Sequence, residues 1–121
     1  MPPQTEGWRD LSKWERETLE RMLQEAFDGR DALLTQLASA RVRTIDEEGS
    51  VQFDAPLVDT SQGPRYRNPV VARGQDQDGI PIEMVLLVGE DGRINELDIW
   101  KGDGSAIRKR PKASSLQIVI R

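Results

Sequence analysis

Neither cysteine nor histidine occurs in this chain of 121 residues. Their absence excludes disulfides, the usual structural zinc sites and any catalytic site that depends on a thiol or an imidazole. Serines such as Ser61 and Ser105 therefore lack a histidine that would activate them as nucleophiles. Glycine-rich phosphate loops of the Walker and dinucleotide-binding types are missing as well. The sequence accordingly predicts no cofactor, no metal site and no catalytic residue.

Long apolar runs are also lacking, since none approaches the roughly 20 residues that a membrane span needs. Residues 1–6 have neither the basic start nor the apolar stretch of a secretion signal. We therefore expect a cytoplasmic protein of bacterial type that does not contact a membrane. Apolar residues make up 36% of the chain and recur throughout, which favours a folded domain over a disordered chain. The length predicts a single domain over residues 9–121, after a loose arm at residues 1–8.

Negative charge prevails, with a formal net charge of −4. An acidic balance argues against a nucleic-acid partner, because such proteins usually present a basic surface. The exception is the basic run at residues 108–112, which has the sequence Arg-Lys-Arg-Pro-Lys. It has no interleaved aromatic residues to stack on bases. The simpler interpretation is that the run offsets the acidic N-terminal half or lines a loop.

Two short helices are predicted within residues 13–40. Ser12 and Glu15 have the spacing of a capping box, in which each side chain accepts a hydrogen bond from the other residue's backbone amide. Asp28-Gly29 is expected to end the first helix and to cap the second. The apolar residues that recur at helical spacing are Leu19, Met22, Leu23, Ala26 and Phe27, then Leu33, Leu34, Leu37 and Ala38.

Strands follow the helices, because the apolar residues then alternate with polar ones. This pattern predicts strands near residues 42–46, 51–55 and 116–120, with a long loop at residues 56–68. Together with two hairpins between residues 69 and 101, they give the order of an α+β domain. We predict two N-terminal helices packed on one face of a mostly antiparallel sheet of five or six strands.

The first hairpin signal is Asp91-Gly92 between two β-rich runs. It predicts a two-residue type I′ turn that pairs Leu86 with Leu97. One side of this hairpin is then apolar and must face the core. The second signal, Gln77-Asp78-Gly79, is interpreted as a three-residue loop that pairs Arg73 with Glu83. With a two-residue loop, the core-facing and outward-facing residues of the strand before Gln77 would exchange places.

We call the side turned away from the core the open face. One interpretation is a solvated surface with cross-strand Arg–Glu pairs, each contributing roughly 0.2–1 kcal/mol. Another is catalysis, because neighbouring carboxylates can supply an acid and a base. The exposed aromatic side chain of Trp100 favours a third, an interaction surface, unless the C-terminal tail covers it. The open face carries Arg73, Glu83, Val85, Leu87, Glu96, Asp98 and Trp100.

Two further segments are candidate sites. Arg65 and Tyr66, in the long loop, are suited to gripping an anionic ligand, although an ordinary surface loop explains them too. Residues 76–79, Asp-Gln-Asp-Gly, match part of an EF-hand loop. The match fails because the first and twelfth ligand positions would be Gly74 and Val85, so a turn is the better interpretation.

The run of residues 96–101, Glu-Leu-Asp-Ile-Trp-Lys, resembles a strand motif of a small uncharacterised bacterial family, a domain of unknown function. The resemblance extends over roughly residues 9–112. It includes an Arg-x-Leu-x-x-x-Glu helix start at Arg9 to Glu15, an Asp-x-Asp-Gly hairpin, and a strand that ends near Pro111. Gly102 and Gly104 replace larger residues of the family pattern. The resemblance implies an α+β layout and no reaction, cofactor or partner.

The leading hypothesis is a noncatalytic interaction module that presents the open face to another protein or to a second copy of itself. A narrower form is an immunity-type protein, in which an acidic surface neutralises a basic toxin through electrostatic steering. The alternative is a binder of small anionic ligands, or an enzyme, that uses Arg73 and Arg65 with Glu83 or Asp98 as a base. That alternative requires a concave pocket between the long loop and the sheet.

Overall fold

The described part of the chain is residues 7–56 and 66–121 of a computed structural model, and it contains two α-helices, a short 3-10 helix at Ala113–Ser115 and six strands. The helices are α1 (Lys13–Met22) and α2 (Arg30–Leu37), and the strands are β1 (Arg41–Thr44), β2 (Val51–Asp54), β3 (Val70–Gln75), β4 (Pro81–Val88), β5 (Ile94–Lys101) and β6 (Gln117–Ile120). Neighbouring strands are all antiparallel, in the order β1-β2-β5-β4-β3-β6. The predicted α+β class and antiparallel sheet are therefore confirmed, with six strands.

The start of α1 is the capping box that the sequence predicts. Ser12 Oγ accepts a hydrogen bond from the Glu15 amide at 3.2 Å, and Glu15 Oε1 accepts one from the Ser12 amide at 2.8 Å. Both oxygens of the buried Glu15 also accept from the Arg9 guanidinium at 2.8 Å. Burial alone would raise the pKa of Glu15, but these donors lower it below its usual value. Arg9 also exchanges two backbone hydrogen bonds with Val42, so this pair ties α1 to the edge of the sheet.

The end of α1 differs from the prediction. The helix stops at Met22, although the apolar stripe continues to Phe27. Arg30 stabilises the non-helical chain that follows Met22, because its guanidinium donates to the carbonyl oxygens of Leu23 at 3.1 Å and Gln24 at 3.4 Å. Of the predicted Asp28-Gly29 cap, Gly29 is the N-cap residue of α2, with φ of 88°, whereas the Asp28 side chain does not cap that helix.

The hairpin between β4 and β5 has the predicted register but not the predicted turn. Leu86 lies opposite Leu97, yet Gly89 and Arg93 are hydrogen-bonded to each other, so the loop has three residues. Only Gly92 has positive φ, 81°, while a type I′ turn would also require it at Asp91. Asp91 instead accepts hydrogen bonds from the amide and guanidinium of Arg93. A bulge then restores the register, because Val88 pairs with Ile94 and Leu87 with Glu96.

The other predicted pairings agree with the structure. The β3–β4 loop has three residues, Gly79 has φ of 82°, and Arg73 lies opposite Glu83. The C-terminal strand β6 pairs with β3 inside the same chain. Residues 57–65 of the long loop and residues 1–6 of the predicted arm lie outside the described residues.

One apolar core joins helices and sheet. Alternate residues of the strands are fully buried and cluster with Leu19, Met22 and Leu33 of the helices. The largest fully buried strand residues are Ile82, Met84, Leu86, Ile94, Leu97 and Ile99. Gln36 of α2 adds a polar link, accepting from the Ile94 amide at 2.7 Å and donating to the Gly92 carbonyl at 3.0 Å. Within the described residues, no helix is long and apolar enough to cross a bilayer.

A buried ion-pair cluster closes the end of the sheet beside the β3–β4 turn. The Lys101 side chain is fully buried, and its Nζ lies 2.9 Å from Asp76 Oδ2 and 2.5 Å from Asp78 Oδ2. The Asp76 carboxylate also accepts from the backbone amides of Arg108 at 2.7 Å and Lys109 at 2.8 Å. We refer to Lys101, Asp76 and Asp78 as the ion-pair cluster.

The basic run is held against the domain by this cluster and by Trp14. Trp14 Nε1 donates to the Pro111 carbonyl oxygen at 2.9 Å, and the Arg110 guanidinium lies 4.4 Å from the centre of the Trp14 ring. Gly74 makes room for the passing chain, because a Cβ there would lie 2.9 Å from the Pro111 ring. The run therefore lines a loop, one of the two roles expected from the sequence.

Asp76→Asn tests the ion-pair cluster by removing one charge while keeping the shape. Burial alone would raise the pKa of Asp76, but its amide and Lys101 donors outweigh burial and hold the pKa well below the usual range. Ionised Asp76 therefore stabilises the fold fully at pH values above its unfolded-state pKa, about 3.9. This stabilisation is lost as the pH falls through the lower pKa of the folded state. We expect a lower free energy of unfolding at pH 7, measured with urea, and a difference from wild type that narrows below about pH 4.

Asp28→Asn is the matched control, because Asp28 is exposed and lies in the connection between the helices. It should follow the wild-type stability at each pH. An equal loss of stability by Asp76→Asn at pH 3 and pH 7 would contradict the electrostatic explanation.

Candidate functional site

On the open face, residues that lie opposite one another on neighbouring strands form rows across the sheet. One row runs Trp100, Glu83, Arg73 and Gln117 across β5, β4, β3 and β6. The next runs Asp98, Val85, Val71 and Val119 across the same strands. The structure thus brings together the predicted residues of β3, β4 and β5 and adds neighbours from β6.

Trp100 is the exposed aromatic residue of this face. Its exposed fraction is 39%, while its neighbours Leu97 and Ile99 are almost completely buried. The C-terminal tail does not cover it, because β6 pairs with β3, and β3 and β4 separate it from β5. Lys101 follows directly and enters the ion-pair cluster, so strand alternation turns Trp100 outward.

Arg73 and Glu83 form the cross-strand pair that the sequence predicts. Arg73 Nε lies 3.7 Å from Glu83 Oε2, and both side chains are partly exposed. Exposed pairs of this kind contribute little to stability. Arg73 also lines a shallow cavity of about 570 Å³ together with Gln75, Ser115 and Gln117. The carboxylate beside Arg73 opposes the binding of an anion there, which disfavours the alternative of an anionic ligand.

Three carboxylates gather at the other side of the face, around Ser50. The Ser50 amide donates to Asp46 at 2.9 Å, and Ser50 Oγ lies 3.5 Å from Asp98. Glu96 belongs to the same group: burial, and then the charges of Asp98 and Asp46, raise its pKa. None of the three forms an ion pair with another described residue. We refer to Asp46, Glu96 and Asp98 as the acidic cluster.

Sequence reasoning missed Asp46 in this cluster. It predicted Asp46 as part of the first strand, whereas β1 ends at Thr44 and Asp46 lies in the turn that follows. The turn geometry brings it to Ser50, which contacts β5 through the backbone of Ile99. The local signal was the acidic residue at the start of a turn, where its side chain accepts amide hydrogen bonds.

Tyr66 lines a cavity that is separate from the open face. Tyr66 is 46% exposed and lines a cavity of about 410 Å³ with Phe27, Pro69 and Ile120. Arg65 lies outside the described residues, so the predicted pocket between the long loop and the sheet is not tested. The structure therefore does not bring Tyr66 next to Trp100.

The groups on the open face suit contact with a protein surface. Across residues 7–56 and 66–121, no group of three acidic side chains is placed to hold a metal ion. Asp76 and Asp78, which resemble part of a calcium loop, hold Lys101 instead. An exposed indole, an apolar row and carboxylates that form no ion pair with a described residue lie together on the open face.

Glu96→Gln tests the mutual repulsion within the acidic cluster. The pKa of Glu96 is higher in the folded state than in the unfolded state, where it is about 4.3. Ionised Glu96 therefore lowers the free energy of unfolding at pH values above its folded-state pKa, and Glu96 has no such effect at pH values below its unfolded-state pKa. We expect the variant to unfold at higher urea concentration at pH 7, with a gain of roughly 0.2–1 kcal/mol that disappears near pH 4. Glu25→Gln, at an exposed site between the helices, should leave stability unchanged. A loss of stability in Glu96→Gln at pH 7 would contradict the repulsion.

Comparison with known proteins identifies a family without an assigned activity. No curated protein and no solved structure matches the chain. The profile of DUF6984, a domain of unknown function, matches residues 8–111. This span includes the predicted helix start, the β3–β4 hairpin and the strand that carries Trp100, and it confirms the expected relationship to an uncharacterised family. The chain belongs to the DUF6984 family.

Proposed function

We propose that this chain is a noncatalytic protein-binding module whose open face docks on a partner with a basic surface. The observation that carries the proposal is the exposed indole of Trp100, which lies between the Arg73–Glu83 pair and the acidic cluster. The ring is not needed for the core, which is formed by the residues that alternate with it. An aromatic side chain in this setting is a typical anchor of a protein interface.

Packing supports the choice of this face. The apolar residues of α1 and α2 cluster with the inward-facing strand residues, and we infer that the helices cover that side of the sheet. The other side then remains for a partner. Its apolar row of Val85, Val71 and Val119 continues the contact area beyond Trp100, with Val119 38% exposed. Antiparallel sheets commonly leave one face available in this way.

Charge supports the choice of a basic partner. No described residue forms an ion pair with the acidic cluster, and the whole chain has a net charge of −4. A lysine or arginine of a partner would relieve the repulsion around Glu96. Complementary charge also accelerates encounter. The narrower form of the proposal is an immunity-type role, in which the bound partner is a basic toxin.

Trp100→Ala is the decisive variant. We expect the wild-type chain, used as bait in lysate of its own host, to retain a basic protein at defined stoichiometry. Trp100→Ala should weaken that binding by roughly 30-fold or more, the effect of losing an interface hot spot. Tyr66→Ala is the matched control, because Tyr66 is an aromatic residue of similar exposure that lies off the open face. Retention of the partner by a folded Trp100→Ala chain would contradict the proposal.

Asp98→Asn separates the charge contribution from the aromatic one. We expect weaker binding of the captured partner and a shallower dependence of affinity on salt, because one complementary charge is removed. Titration calorimetry at two salt concentrations measures both effects. Equal salt dependence in wild type and Asp98→Asn would contradict a role for the acidic cluster.

A further inference from the structure

The outer edge of β6 carries hydrogen-bonding groups that β3 does not use. The Arg121 amide donates to the Pro69 carbonyl at 3.0 Å, so these two residues occupy a hydrogen-bonded position in the pairing of β6 with β3. Hydrogen-bonded pairs alternate with non-hydrogen-bonded ones in an antiparallel ladder. Val119 and Gln117 therefore bond to β3, and the backbone N–H and C=O groups of Ile118 and Ile120 point away from the sheet.

The opposite edge of the sheet is protected. There the backbone of Val42 exchanges two hydrogen bonds of 2.8 Å with Arg9, and Arg41 and Arg43 add charge to the strand. Charged side chains and a covering segment are common ways to prevent further strand pairing. Among residues 7–56 and 66–121, β6 has neither: residues 117–120 are Gln-Ile-Val-Ile, with no charge, proline or bulge.

We propose that a second copy of this chain pairs with β6 edge to edge, antiparallel, around a two-fold axis at Val119. Ile118 then lies opposite Ile120 of the second copy, and Val119 lies opposite Val119 of the second copy. Because the outward-pointing groups belong to the residues on either side of Val119, this register satisfies them on both chains. The two sheets become one sheet of twelve strands.

Side chains and charge also favour a second copy of the chain in this register. The half-buried Ile118 and Ile120 meet on the core side, and the two exposed Val119 side chains meet on the open face. Gln117 lies opposite Arg121 of the second copy, so no like charges face each other across the axis. The acidic cluster lies on β5 and in the β1–β2 turn, and β4 and β3 separate it from β6, which limits repulsion between the two acidic chains.

An edge of four residues makes a small interface. Stable complexes bury roughly 1,200–2,000 Å², which this edge does not reach. We therefore expect a reversible dimer at protein concentrations on the order of 0.1–1 mM. The proposed dimer depends on the edge of the sheet and not on Trp100, and Val119 is the residue that it shares with the contact area proposed on the open face.

Cysteine substitution tests the register directly, since the natural chain has no cysteine. In Val119→Cys the two thiols would lie opposite each other, at a Cα separation of about 4.5 Å, which suits a disulfide. In Gln117→Cys the equivalent residues would be four strand positions apart, about 13 Å. Under one glutathione redox buffer we expect Val119→Cys to form a covalent dimer and Gln117→Cys to remain largely monomeric.

Sedimentation of the unmodified chain completes the test. Wild type should self-associate across the stated concentration range, as should Asn95→Lys, which adds one positive charge at an exposed site on β5. Val119→Lys should remain monomeric, because two ammonium groups would meet at the axis. Circular dichroism checks that each variant is folded. A monomeric wild type, or equal crosslinking at positions 117 and 119, would overturn the proposal.

Discussion

The buried ion pair between Lys101 and two aspartates is the interaction on which the rest of this structure depends. It joins the end of β5 to the β3–β4 turn, and through Asp76 it captures the backbone of the basic run. It also fixes which way β5 faces, because a buried Lys101 requires its neighbour Trp100 to point outward. A buried lysine without these carboxylates would be strongly destabilising, so the pairing constrains the register of the whole sheet.

The same cluster explains motifs that look functional in the sequence. The Asp-x-Asp-Gly hairpin and the Ile-Trp-Lys strand are far apart along the chain, yet their charged residues meet in one ion-pair cluster. The two charged residues of the Arg-x-Leu-x-x-x-Glu helix start likewise have a structural role, because Arg9 and Glu15 form an ion pair. Structural demands thus account for most of the charged motif residues. Among the large apolar residues of the strand motif, Trp100 differs because its side chain remains exposed.

Local patterns predicted much of this fold, and long-range pairing explains what they missed. The capping box at Ser12 and the pairing of Arg73 with Glu83 depend on residues close in sequence, and both were predicted. The burial of Lys101 depends on Asp76, 25 positions away, whereas composition alone places a lysine at the surface. The β4–β5 register was predicted despite a wrong turn, because a bulge at the start of β5 compensates for the longer loop. On the open face, alternation placed Glu96 and Asp98 but gave no sign that Asp46 joins them.

The three tryptophans allow one direct measurement of where a partner binds. Each indole N–H gives its own signal in a nitrogen–proton spectrum, and Trp14 serves as an internal reference because its N–H is bonded to Pro111. Titration with the captured partner should shift the Trp100 signal strongly and leave the Trp14 signal in place. A complex that forms while the Trp100 signal stays unchanged would contradict the assignment of the open face as the binding surface.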